Sequence, residues 1–138
     1  MNPIEVRCRC DGTGLRITAE PMAQLYCHCD DCRAAHAAAY VSASIYPAQA
    51  VEVIGQKPDA MVVKTTQRMR CAACGTHLFS ELANVGLRSV NGFLLPWEKF
   101  KPQFHIQCQH AVLPVVDSLL HYKGFPAAFG GSDELVAW

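Results

Sequence analysis

Seven of the eight cysteines in this 138-residue chain stand in three tight groups, Cys8-x-Cys10, Cys27-x-Cys29-x-x-Cys32 and Cys71-x-x-Cys74, with Cys108 apart from them. Thiols one or two residues apart close poor disulfide loops, whereas a knuckle of that length aims its sulfurs at one ion about 2.3 Å from each. Eight cysteines amount to about 6% of the chain, below the density of a small disulfide scaffold and high for an ordinary cytosolic protein. In a reducing, cytoplasmic setting such clusters read as zinc ligands before disulfides.

Structural zinc takes four protein ligands and is closed, while catalytic zinc takes three and keeps a position for water or substrate. Seven clustered cysteines divide accordingly. Cys8, Cys10, Cys71 and Cys74 form a closed set that can staple distant strands. Cys27, Cys29 and Cys32 lie within six consecutive residues, so one loop presents all three sulfurs to a second ion and leaves a face open. Spacing alone also permits the central knuckle to join one of the pairs. His28, flanked by two ligands, would need a strained loop to turn inward, and His36, His77, His105, His110 and His121 have no partner at metal spacing; all six read as structural.

The elements that must position these groups are strands. Leu15, Ile17 and Ala19 alternate with Arg16, Thr18 and Glu20, and Val41, Ala43 and Ile45 alternate with Ser42 and Ser44. Short apolar or β-branched runs recur at 4–6, 51–54, 61–66, 87–90 and 104–107 between Gly, Pro, Asn or Asp. That pattern predicts an all-β fold, mainly antiparallel, with one or two short helical turns: the alanine-rich 31–39 and, more weakly, 116–122.

No linker, charge run or repeat divides the chain, so residues 1–138 are expected to form a single zinc-binding domain. The hydrophobic share of 51% can fill the core of a chain that hides roughly 68–70% of its surface on folding. Twelve basic residues balance twelve acidic ones. A four-thiolate zinc carries −2 and a three-thiolate zinc −1, which takes the neutral chain to −3 and argues against a nucleic-acid partner. No apolar run approaches the roughly 20 residues of a membrane span, and the start lacks the apolar segment of a signal peptide, so no membrane partner and a cytoplasmic location are expected. Composition sets no oligomeric state.

Cys8-Arg9-Cys10, LYCHCDDCR at 25–33 and RCAACGTHLF at 70–79, followed by NGFLLPWEKFKPQFHI at 91–106 and DSLLHYKG at 117–124, resemble the glutathione-dependent formaldehyde-activating enzymes, the S-(hydroxymethyl)glutathione synthase-like family. The resemblance spans residues 6–124. It implies an Mss4-like fold, a structural zinc on Cys8, Cys10, Cys71 and Cys74, and a second zinc on Cys27, Cys29 and Cys32 where glutathione, a small-molecule thiol, is the substrate. The chain departs from the family at Asp11, where Gly is frequent, and at Leu113-Pro114, where Trp is common.

The implied activity is that of a carbon–sulfur lyase forming or breaking an S-hydroxymethyl adduct. Arg33, Arg68 and Arg70 adjoin the cysteine clusters and are the candidate contacts for the two glutathione carboxylates. A thiol of pKa about 8.5 is about 3% ionised at pH 7, so full ionisation gains at most about thirtyfold, near 2 kcal/mol. Orientation or a proton donor must supply the rest, and no residue in the sequence declares itself as that donor. Two other readings stand beside the lyase: a non-catalytic zinc module binding a thiol, peptide or protein, and an enzyme like the zinc-containing methionine sulfoxide reductases using Cys108.

Overall fold

The computed structural model describes residues 2–138. Its strands are β1 (Ile4–Arg7), β2 (Thr13–Ile17), β3 (Ala23–Cys27), β4 (Val41–Pro47), β5 (Val51–Gly55), β6 (Asp59–Val63), β7 (Thr66–Arg70), β8 (His77–Leu82), β9 (Leu87–Asn91), β10 (Phe104–Ile106) and β11 (Leu120–His121). One α-helix, α1 (Asp30–His36), joins β3 to β4. A three-stranded sheet has the order β1-β2-β5, and an eight-stranded sheet runs β11-β10-β3-β4-β9-β8-β7-β6. This is the all-β, Mss4-like architecture expected.

The large sheet has a core on each face. Val6, Leu15, Ile17 and Val51 of the small sheet pack against Tyr46, Phe79 and Val90 of the large one, in a cluster that also takes in Cys8 and Cys71. Leu25, Cys27, Val41, Ala43 and Ile106 form the second core, with Cys29 and Cys32 packed on it. Alternation along β4 puts Val41 and Ala43 on the face opposite Tyr46, so the two thiol groups belong to opposite faces. Because both faces of β4 are covered, Ser42 and Ser44 are buried and not solvated as their period-two pattern suggests. Gln24 donates to Ser44 Oγ at 2.8 Å, and Ser44 donates to Tyr46 Oη at 2.9 Å, which satisfies the buried polar groups.

Four local expectations change. The run 61–66 is two strands: the chain reverses at Lys64 and Thr65, with Lys64 at φ 54°, and Val63 pairs with Thr66. Helix α1 stops before 37–39 because Ala37 turns left-handed at φ 51° and its N–H bonds Arg33 O. Residues 116–122 form no helix; Asp117 Oδ1 accepts the Leu119 N–H at 3.0 Å, and Leu120–His121 add a strand to the sheet. Finally, β10 runs parallel to both β3 and β11, after a crossover through the Pro-bearing segment 92–103.

Candidate metal centres and an adjoining cavity

The first cysteine pair sits in the turn between β1 and β2. Asp11 stands there at φ 69°, a left-handed conformation that Gly adopts freely and Asp tolerates, which explains the departure at this position. The 71–74 knuckle precedes β8, where Gly75 at φ 76° lets its N–H reach Cys71 O at 2.9 Å. Thr76 Oγ1 joins the knuckles by accepting the Arg9 N–H at 3.2 Å.

All four sulfurs lie within 4.8 Å of one another. Cys8 Sγ is 3.6 Å from Cys10 Sγ, and Cys10 Sγ is 3.7 Å from Cys71 Sγ. A tetrahedron with about 2.3 Å zinc–sulfur bonds has edges of about 3.8 Å, so the donor set fits zinc with little movement. Backbone N–H groups of Thr13 and Cys74 point at Cys8 Sγ and Cys71 Sγ, both at 3.4 Å. The Thr76 hydroxyl at 3.0 Å, aided by backbone N–H groups, brings the Cys74 thiol down to about 5. The contacts to Cys71 and Cys74 favour thiolates, whereas at Cys10, against a lowering backbone contact from Gly12, the neighbouring sulfurs push the thiol up to about 11.

The second group is built by the end of β3 and the start of α1. Cys29 is the helix N-cap, its Sγ accepting the Cys32 N–H at 3.2 Å, while Asp30 and Asp31 in the first turn suit the helix dipole. Cys27, Cys29 and Cys32 converge within 4.8 Å. Sulfur contacts with Cys27 and Cys29, then the Arg68 guanidinium at 3.4 Å, draw the Cys32 thiol down to about 3; contacts with Cys29 and Cys32, with burial, push Cys27 up. The trio thus holds a negative charge facing Arg68. All eight cysteines are free thiols.

Beside this trio lies a cavity of about 300 Å³, which Cys27, Cys32 and Arg68 line together with Leu25, Val41, Ile106 and Phe129. Arg68 is only 7% exposed and also donates to Ser80 Oγ at 3.2 Å. Of the three candidate arginines it alone lines the cavity. Arg33 Nε donates instead to the His28 carbonyl at 3.3 Å, and Arg70 is exposed at the end of β7.

His36 and His77 also line the cavity, with ring centroids 3.9 Å apart, and burial lowers them to about 4 and about 3, leaving both neutral at pH 7. Separated by 41 residues in sequence, they carried no spacing signal. His28 points away from the trio and places Nε2 2.9 Å from His105 Nδ1. His105 and His121 are drawn together with Asp117, a grouping that spacing did not reveal. Cys108 is 4% exposed, and burial raises its thiol to about 11, the reverse of a reactive cysteine. Among the described residues no helix is long and apolar enough to cross a membrane.

The family described as glutathione-dependent formaldehyde-activating enzyme matches residues 3–110. The crystal structure of a Rhodobacter sphaeroides protein superposes with a TM-score of 0.53 at 16% identity, covering 68% of this chain and 89% of that one; it supports the fold alone. No curated protein matches the chain.

Proposed function

The chain belongs to the glutathione-dependent formaldehyde-activating enzyme family, and on that premise we propose that it is a zinc-dependent carbon–sulfur lyase that forms or breaks an S-hydroxymethyl adduct of glutathione. In this reading it works as one zinc-binding domain in the cytoplasm. Cys8, Cys10, Cys71 and Cys74 hold a structural zinc, and Cys27, Cys29 and Cys32 hold a second ion. Bound to the trio, zinc supplies a vacant coordination position that keeps a thiol ionised near neutral pH.

One observation carries the proposal: the cavity opens on Cys27 and Cys32, so a thiol entering it reaches the trio. The apolar wall removes water from the sulfur, and Arg68 is the cation available to a carboxylate or to the charge of the trio. In the forward direction the glutathione sulfur forms a bond to the formaldehyde carbon, and the carbonyl oxygen takes up a proton. The cavity's contribution is to hold both partners in contact, which is the term ionisation alone leaves unsupplied. Because thiol and formaldehyde also combine in water, the test compares adduct formation and breakdown with intact protein, a zinc-depleted control and buffer. Acceleration that disappears with the second zinc is expected. Rates equal to buffer, with both zincs present, would remove the lyase.

A second reading is favoured by the cavity wall, which carries no carboxylate among the described residues and whose histidines are neutral. A module that binds a thiol without transforming it needs nothing more than this. Calorimetric binding of glutathione without acceleration would select it.

A further inference from the structure

On the face of the large sheet turned away from the cysteine trio, β10 and β11 bring two buried imidazoles and a carboxylate together. We infer that His105, Asp117 and His121 form a third metal site, for a divalent first-row transition ion bound through nitrogen and oxygen.

The placement follows from register. His105 pairs with His121 in adjacent parallel strands, so both rings rise from one face, with centroids 4.5 Å apart. Asp117 reaches over from the preceding loop. Its Oδ2 lies 2.7 Å from His105 Nε2 and its Oδ1 3.0 Å from His121 Nε2, and the three ligand atoms fall within 4.8 Å of one another.

A hydrogen-bond cluster alone explains this arrangement poorly. His121 is only 5% exposed, yet the carboxylate lies off the axis of Nε2, and that nitrogen ends without a hydrogen-bond partner. A buried nitrogen left unsatisfied within 4.8 Å of two other ligand atoms is what a metal position provides for. His105 has the support typical of a metal-bound histidine: its Nδ1 is 2.9 Å from His28 Nε2, which orients the ring and leaves Nε2 for an ion.

Ligands about 2.0–2.2 Å from an ion stand roughly 3.3 Å apart, so occupancy spreads the present contacts by a few tenths of an ångström. Asp117, with its side chain 30% exposed and seated in a loop, is the ligand free to shift, and its exposed side is the route of entry. Two imidazoles and a carboxylate suit Zn²⁺, Fe²⁺ or Co²⁺ and are harder than the thiolate sets elsewhere in the chain. Such an ion ties β11, only two residues long, to the edge of the sheet.

The test is a metal count on the full chain. Wild type, Asp117→Asn and His121→Ala are saturated with Zn²⁺, desalted and analysed for zinc per chain. Each variant is expected to hold one ion fewer than wild type, whatever number the cysteines retain, so the result is separable from the thiolate assignments. Asp117→Asn keeps the side chain's shape and decides the matter should His121→Ala fail to fold. A second readout uses Trp138, whose ring lies 4.6 Å from that of His121. In a metal-stripped Trp97→Phe background given only the two equivalents of Zn²⁺ that fill the thiolate sites, Co²⁺ is expected to quench Trp138 fluorescence with saturation at one equivalent, and Asp117→Asn is expected to abolish this. Equal zinc content in wild type and Asp117→Asn, with no saturable quenching, would overturn the site.

Discussion

The two cysteine groups use the same ligand and differ in what surrounds it. Cys8 and Cys71 are buried in the core between the sheets, Cys10 and Cys74 face outward, and the four sulfurs already stand near tetrahedral spacing. The Cys27 group takes all its sulfurs from one turn of chain, and its side facing the sheet opens on a cavity beside a buried arginine. A site that joins distant strands with four ligands serves stability. A site built locally with three, next to a cavity, leaves a position for chemistry.

The largest effect that separates them is on folding. The closed set joins segments 61 residues apart, from Cys10 to Cys71, and a structural zinc contributes on the order of 10 kcal/mol, comparable with a domain's whole stability of about 5–15 kcal/mol. Cys71→Ser is expected to unfold the protein or make it insoluble, as judged by soluble yield and circular dichroism. A soluble variant with unchanged melting temperature and zinc content would erase the distinction.

Cys29→Ser is expected to do less to the fold and more to the ligand. The variant stays soluble, lacks the second zinc and loses glutathione affinity in calorimetry. In wild type a mild chelator removes this ion before the four-thiolate zinc, in a phase well separated from it. A single release phase, or unchanged zinc content in Cys29→Ser, would mean that the trio is not a separate site.

Arg68→Met sharpens the comparison inside the cavity. Losing a charge-assisted contact to Cys32 and to an incoming anion is expected to weaken glutathione about tenfold, roughly 1.4 kcal/mol, with both zincs retained. Unchanged affinity would move the binding surface away from Arg68. The smallest effect is expected from Cys108→Ala: a change in stability of about 1 kcal/mol, with zinc content and glutathione affinity at wild-type values. A collapse of activity in that variant would restore the cysteine-based enzyme.

The local chemistry was legible in the chain because zinc knuckles are written in consecutive residues. Cys27, Cys29 and Cys32 need only their own turn, and the alternation at 15–20 and 41–45 is local as well, although the strand itself runs Thr13–Ile17. The cavity was not legible, because Arg68 and His77 arrive on β7 and β8, whose TQRMR and HLFSEL segments show no clean apolar alternation. The turn at Lys64-Thr65 hides in the same way, lacking the Gly, Asn or Asp that announces most hairpins. His105 and His121 meet only because β10 and β11 pair in parallel at a particular register, a contact that no spacing rule encodes.

The claim that the trio has a coordination position accessible from the cavity is tested most directly by a zinc-loaded crystal soaked in glutathione, with the metals located by anomalous scattering. The account predicts the glutathione sulfur about 2.3 Å from the zinc on Cys27, Cys29 and Cys32, with the rest of the molecule in the cavity beside Arg68. A fourth protein ligand closing that zinc, or glutathione bound elsewhere while the zinc is present, would contradict it.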